Sequence, residues 1–180
     1  MPLTSAPRRL AAALAAGALI GLLAPAAAAG ADEQQTAAVN LRTPFDCGQV
    51  WNANTRQNHN PQLSVDFQRS GAQGKNVLSS AAGTVTTVAD RGNTSYGKYI
   101  VVDHGQGITT LYAHLQSQAV SVGDKVKTGT RIGKVGSTGG STGPHLHYEQ
   151  RVNGKVVRVV LNGVKVAYYG NTTITSSTNC

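Results

Sequence analysis

From Leu41 onward the sequence never sustains an apolar repeat of 3.6 residues over three turns, and this restricts its possible folds more than any other feature. It carries instead short β-branched or alternating runs: Thr84–Ala89, Lys98–Asp103, Ile108–Ala113, Arg131–Val135, Leu146–Val152 and Val156–Leu161. Clusters of Gly, Asn, Asp or Ser bound each run, as they bound strands. Asn153-Gly154 marks a hairpin between the last two, because both central residues of a type I′ turn need positive φ. Between Val120 and Gly136, glycines at 123, 129, 133 and 136 alternate with apolar residues and predict short strands joined by tight turns. The expectation is one all-β, mostly antiparallel domain over residues 41–180.

The N-terminal residues have a different character. Thirteen alanines fall between Ala6 and Ala31, where Arg8 and Arg9 are the only charged residues before the apolar run Leu10–Leu23. Pro25 ends that run and Ala26–Ala29 offer small residues for cleavage, the order of a secretory signal peptide. A bilayer span needs roughly 20 apolar residues, more than this run provides. Residues 1–30 therefore predict export, and 31–40 a short polar leader or linker. Without 1–30 the formal charge falls from +8 to +6, as 14 Lys+Arg (16 − 2) against 8 Asp+Glu. The remainder, of about 150 residues, can bury one core and is too small for two independent domains. Cys47 and Cys180 suit an oxidising compartment, and their pairing would close a 134-residue loop (180 − 47 + 1).

All five histidines lie in this remainder. In His145-Leu146-His147 strand alternation sends both imidazoles to one face and Leu146 to the other, into a core. The preceding stretch Gly136–Gly143 contains only Gly, Ser and Thr, a composition that allows close backbone approach to a ligand or a flexible connector. It is not a nucleotide-binding loop, since the Gly-Lys-Ser/Thr ending is missing and a strand follows. Asp66 lies on the polar side of an alternating run, Leu63–Gln68, with His59 seven residues earlier in an Asn/Pro-rich loop. His114 ends Ile108–Ala113, where alternation places it on the face of Tyr112. His104 reads as a turn or packing residue. His59, Asp66 and His147 together suit Zn²⁺ with a position left for water. His114 and His145 then remain for proton transfer. Glu149 shares the face of His147 and could support it from behind.

These residues occur in stretches that resemble the LytM/lysostaphin-type zinc metallopeptidases of bacterial cell walls: VDF with Asp66, VDHGQGITTLYAHL with His114, and GSTGGSTGPHLHYEQ with His145 and His147. The resemblance spans roughly residues 58–152. It implies one zinc per chain on His59, Asp66 and His147, a catalytic pair His114 and His145, and a barrel-sandwich hybrid with a groove-shaped site. The gap from His59 to Asp66 exceeds the family's usual one, and an insertion at Asn60-Pro61-Gln62 accounts for it. The implied activity is hydrolysis of peptidoglycan peptide bonds by a secreted, monomeric enzyme. A non-catalytic wall-binding module of the same fold would not need the complete histidine set. Aromatics are only 5% and the basic residues are scattered, which argues against a nucleic-acid partner. Anionic wall polymers suit the positive charge better. A lipoyl-type carrier, suggested by Asp124-Lys125-Val126, conflicts with export.

Overall fold

The computed structural model describes residues 39–180, so the expected signal peptide and most of the leader lie outside the described residues. The described residues form an all-β fold with fourteen strands, every pair antiparallel, as expected. The strands are β1 (Val50–Thr55), β2 (Val65–Gln68), β3 (Asn76–Leu78), β4 (Gly83–Asp90), β5 (Lys98–Asp103), β6 (Ile108–Ala113) and β7 (Leu115–Gln118). They continue as β8 (Lys125–Val126), β9 (Arg131–Val135), β10 (Leu146–Val152), β11 (Lys155–Val157), β12 (Val160–Leu161), β13 (Val164–Lys165) and β14 (Gly170–Thr175). A large sheet runs β14-β1-β2-β10-β6-β5-β4-β8, with β11 also on β10; β3-β9-β7 and β12-β13 form smaller sheets. Among the described residues no helix is long and apolar enough to cross a membrane.

The alternation in each strand shows how the core is built. Leu146 and Tyr148 of β10, Val65 and Phe67 of β2 and Tyr112 of β6 are fully buried. Phe45 stacks on Trp51 with centroids 3.8 Å apart, Phe67 meets Phe45 edge-on at 5.2 Å, and Tyr148 joins Phe67 at 5.7 Å and Tyr112 at 5.4 Å. Such pairs add about 0.5–1.5 kcal/mol each beyond the area they bury. Leu115, Ile132 and Val135 bring the three-stranded sheet onto the same core.

Two departures from the sequence reading have local causes. The run Val156–Leu161 is two strands, because the Gln150 amide bonds both the carbonyl (2.8 Å) and the N–H (3.0 Å) of Val160 in place of a ladder. Strands β1, β7 and β14 escaped notice since Asn, Gln, Thr and Ser crowd them, and β3 and β13 because they are only three and two residues long; β1 (VWNANT) nonetheless buries Trp51, Ala53 and Thr55 in strict alternation. The expected turn is present, with φ of 49° at Asn153 and 77° at Gly154 between paired Val152 and Lys155. Asn162-Gly163 repeats it between β12 and β13. Cys47 and Cys180 form a disulfide, as expected.

Candidate metal centre and active-site groove

One row across the large sheet sets the site. Asn54 of β1 pairs with Asp66 of β2, Asp66 with His147 of β10, and His147 with Ala113 of β6. Opposed residues of an antiparallel pair point to one face, so register alone brings the Asp66 carboxylate to the His147 ring. Asp66 Oδ1 lies 3.2 Å from His147 Nδ1 and 3.0 Å from His59 Nε2. His59 reaches this point from outside the strands. The segment after it turns back sharply, with Ser64 N–H on the Pro61 carbonyl at 3.1 Å, and this turn absorbs the longer gap to Asp66.

Three donor atoms, from His59, Asp66 and His147, lie within 4.8 Å of one another. Two donors about 2.0–2.1 Å from one zinc at tetrahedral angles are roughly 3.3 Å apart, so the contacts to Asp66 Oδ1 have the right span. The remaining ring nitrogens are already engaged. His59 Nδ1 lies 3.2 Å from the Ser64 carbonyl and His147 Nε2 3.0 Å from Glu149 Oε1, each set to donate a proton and leave the other lone pair for an ion. The donor set therefore fits a divalent metal. Burial alone would raise the Asp66 carboxyl's pKa, but hydrogen bonds from His147 and His59 and the charge of His145 outweigh it and hold the carboxyl well below the usual range. Burial opposes protonation of His147, yet Asp66 and Glu149 prevail and raise it in the metal-free chain, so a cation would replace a proton there.

His114 and His145 stand beside this set, with ring centroids 4.8 Å apart. Each commits Nδ1 to a backbone carbonyl at 2.8 Å, His114 to Thr138 and His145 to Gly143, which leaves Nε2 for exchange with a ligand. Strand alternation had placed His114 on the face of Tyr112, and here the structure corrects it. Tyr112 is buried in the core, whereas His114 has φ of 60°, which takes it off the strand and swings its ring to within 5.6 Å of His147. A positive φ on a non-glycine residue is uncommon and tends to mark functional positions. Burial first, then the charge of His145, lowers the His114 pKa to about 4, so its ring is neutral at neutral pH.

The Gly/Ser/Thr loop is a braced wall and not a loose connector. Gly140 N–H bonds the Ser95 carbonyl at 2.8 Å, and the Thr138 hydroxyl accepts from Lys98 N–H and donates to the Leu115 carbonyl. Gly97 and Gly139 meet backbone to backbone: a Cβ on Gly97 would lie 2.4 Å from both Thr138 C and Gly139 N.

Arg56, Tyr96 and Arg151, which the sequence reading missed, complete the surroundings. Glu149 is fully buried and, besides His147, accepts from the Tyr96 hydroxyl at 2.6 Å and from Arg151 Nε and Nη2 at 2.7 Å. Arg151 follows Glu149 at strand spacing, so alternation could have flagged it; nothing local pointed to Tyr96. Arg56 Nη2 donates to Asp66 Oδ2 at 2.6 Å. His104 lies apart from the site, its Nδ1 on the Ala82 carbonyl at 2.9 Å and its Nε2 at 2.8 Å from the Thr110 hydroxyl, a packing residue as expected. The five site residues line one open groove of about 610 Å³, with Arg56, Tyr96 and the wall Gly140–Pro144.

Comparison with known proteins agrees with this chemistry. Residues 60–159 match the sequence model of peptidase family M23. Asp66, His114, His145 and His147 fall inside the match and His59 directly before it. A DD-carboxypeptidase/endopeptidase of Neisseria meningitidis serogroup B is 43% identical over 102 residues, 57% of this chain and 23% of that protein. A peptidoglycan DD-endopeptidase of Vibrio cholerae serotype O1 is 42% identical over 94 residues, 52% of this chain and 21% of that protein. The chain thus spans less than a quarter of the length of either relative. Among solved structures, a zinc-containing peptidase from Vibrio cholerae superposes with a TM-score of 0.56 at 30% identity, covering 68% of this chain and 40% of that one.

Proposed function

This chain belongs to peptidase family M23 and is a metallopeptidase by that membership, and from this premise we propose that it is a secreted zinc endopeptidase that cuts peptide bonds in bacterial peptidoglycan. The observation that carries the reading is the convergence of donor atoms from His59, Asp66 and His147 at the floor of a groove whose wall presents His114 and His145. The names of the two bacterial relatives, both endopeptidases, support the substrate class.

His59 through Nε2, Asp66 through Oδ1 and His147 through Nδ1 would hold one zinc. When bound, zinc supplies a water acidified to a pKa of about 7 and an electrophile for the scissile carbonyl. The chain's own residues do the rest. Peptide hydrolysis removes one proton from water and delivers one to the departing amine nitrogen. His114, neutral and with Nδ1–H held by Thr138, accepts the first proton at Nε2. His145, held in the same way by Gly143, carries its Nε2 beside Asp66 Oδ1 at 3.6 Å and serves the oxyanion and leaving amine. Glu149, fixed by Tyr96 and Arg151, keeps the His147 ring in the orientation that frees Nδ1.

Residues 1–30 are assigned to export, 31–40 to a leader and 41–180 to the catalytic domain, acting as a monomer at the cell wall. The Cys47–Cys180 disulfide supports an oxidising destination. The test is digestion of purified peptidoglycan with mass spectrometry of the released fragments. New peptide amino and carboxyl ends should appear, vanish with phenanthroline and return with Zn²⁺. Release that is unchanged by the chelator contradicts the reading.

A further inference from the structure

Arg56 is the only Lys or Arg among the described residues that line the groove, and nothing in the proposed hydrolysis uses its charge. Its side chain is 44% exposed yet held at two points. Nη1 donates to Asn54 Oδ1 at 2.8 Å, and Nη2 to Asp66 Oδ2 at 2.6 Å. Asn54 is itself fixed, its amide donating to Asn171 Oδ1 at 2.8 Å, an oxygen that also accepts from Asn52 at 3.0 Å. A guanidinium has five N–H donors, and these two bonds use two of them. The other three have no acceptor among the described residues.

The two oxygens of Asp66 face different partners. Oδ1 meets the histidines and Oδ2 meets Arg56, so the guanidinium stands one carboxylate away from the metal donor atoms. A metal that draws on the Asp66 charge leaves Arg56 without a full counter-ion, in an open groove with preorganised donors. A planar guanidinium in that situation recognises a carboxylate.

We propose that Arg56 is a substrate-recognition residue that binds a free carboxylate on the peptide residue next to the scissile bond. This rests on the peptidase reading above and narrows it. The preferred substrates are stem peptides with an acidic group beside the cut, over their amidated forms and over neutral glycine bridges.

The test uses two synthetic cross-linked peptides that differ only in carboxylate or carboxamide at that residue. Rates are measured on zinc-loaded wild type, Arg56→Gln and Arg56→Lys, each normalised to bound metal. Gln removes the charge and keeps an amide N–H donor. Wild type should favour the carboxylate in kcat/KM by about tenfold or more, chiefly through KM. The ratio should fall to near one in Arg56→Gln and remain partly in Arg56→Lys. Equal cleavage of both peptides by wild type overturns the assignment alone, as does a wild-type ratio in Arg56→Gln. No cleavage of either peptide by zinc-loaded wild type overturns the peptidase reading and the assignment with it.

Discussion

His114 and His147 carry the same ring, and their surroundings give them different work. His147 is wedged between Asp66 and Glu149, one carboxylate on each nitrogen, so its place is fixed and its free lone pair suits an ion. His114 bonds only the Thr138 carbonyl through Nδ1 and stays neutral because burial and His145 disfavour its charge. Replacing each by alanine should therefore separate two losses. His147→Ala should purify without stoichiometric metal. His114→Ala should hold metal like wild type while kcat falls by about 10²–10⁴, the usual worth of a positioned acid or base. A His114→Ala enzyme with wild-type kcat removes His114 from proton transfer.

At the scale of elements, the groove depends on two loops that meet closely at Gly97 and Gly139. Gly97 has φ of 57° and lies against Thr138 and Gly139. Thr138 in turn anchors His114, so an added methyl group would push the wall and the His114 ring together. Gly97→Ala should cost stability, about 1–3 kcal/mol for backbone strain of this kind. It should also lower kcat while leaving metal content unchanged, since His59, Asp66 and His147 sit on other segments. Assay of turnover against zinc content decides this, and wild-type kcat in Gly97→Ala would show that the wall does not position His114. The elements also show what could be read beforehand. The His145-Leu146-His147 alternation was legible from its period of two, and the strands β5, β6, β9 and β10 because β-branched or alternating runs there are bounded by turn residues. The reach of His114 was not, since it depends on one backbone angle that breaks that period. Arg56 and Tyr96 were illegible for another reason: their contacts with Asp66 and Glu149 are tertiary and follow no local spacing.

Across the whole molecule, the disulfide ties the C-terminus to the start of the domain, but it is not alone in doing so. Ser176 N–H bonds the Gln49 carbonyl, Gly48 N–H bonds the Ser176 carbonyl, both at 2.8 Å, and the Thr178 hydroxyl donates to the Thr43 carbonyl at 2.6 Å. Closing so long a loop restricts the unfolded chain by roughly 5 kcal/mol in the entropy model, and loss of a native disulfide typically costs about 2–5. The Cys47→Ser/Cys180→Ser double variant should thus melt lower by on the order of 10 °C while its metal site stays intact. An unchanged melting temperature would show that the bond adds nothing to the hydrogen-bonded seam. The fold class was legible at this scale from strand punctuation alone, whereas the order of strands in the large sheet was not, because β14, the last strand in sequence, pairs with β1, the first. Overall charge said little: one arginine in the groove bears on function more directly than the net excess. If His59, Asp66 and His147 form one metal centre, His59 is the residue to probe, because it alone of the three reaches the site from outside the strands. The most direct measurement is zinc per chain by elemental analysis of purified wild type and His59→Ala. About one zinc is expected in wild type and almost none in His59→Ala; equal zinc in both proteins would show that His59 is not a ligand.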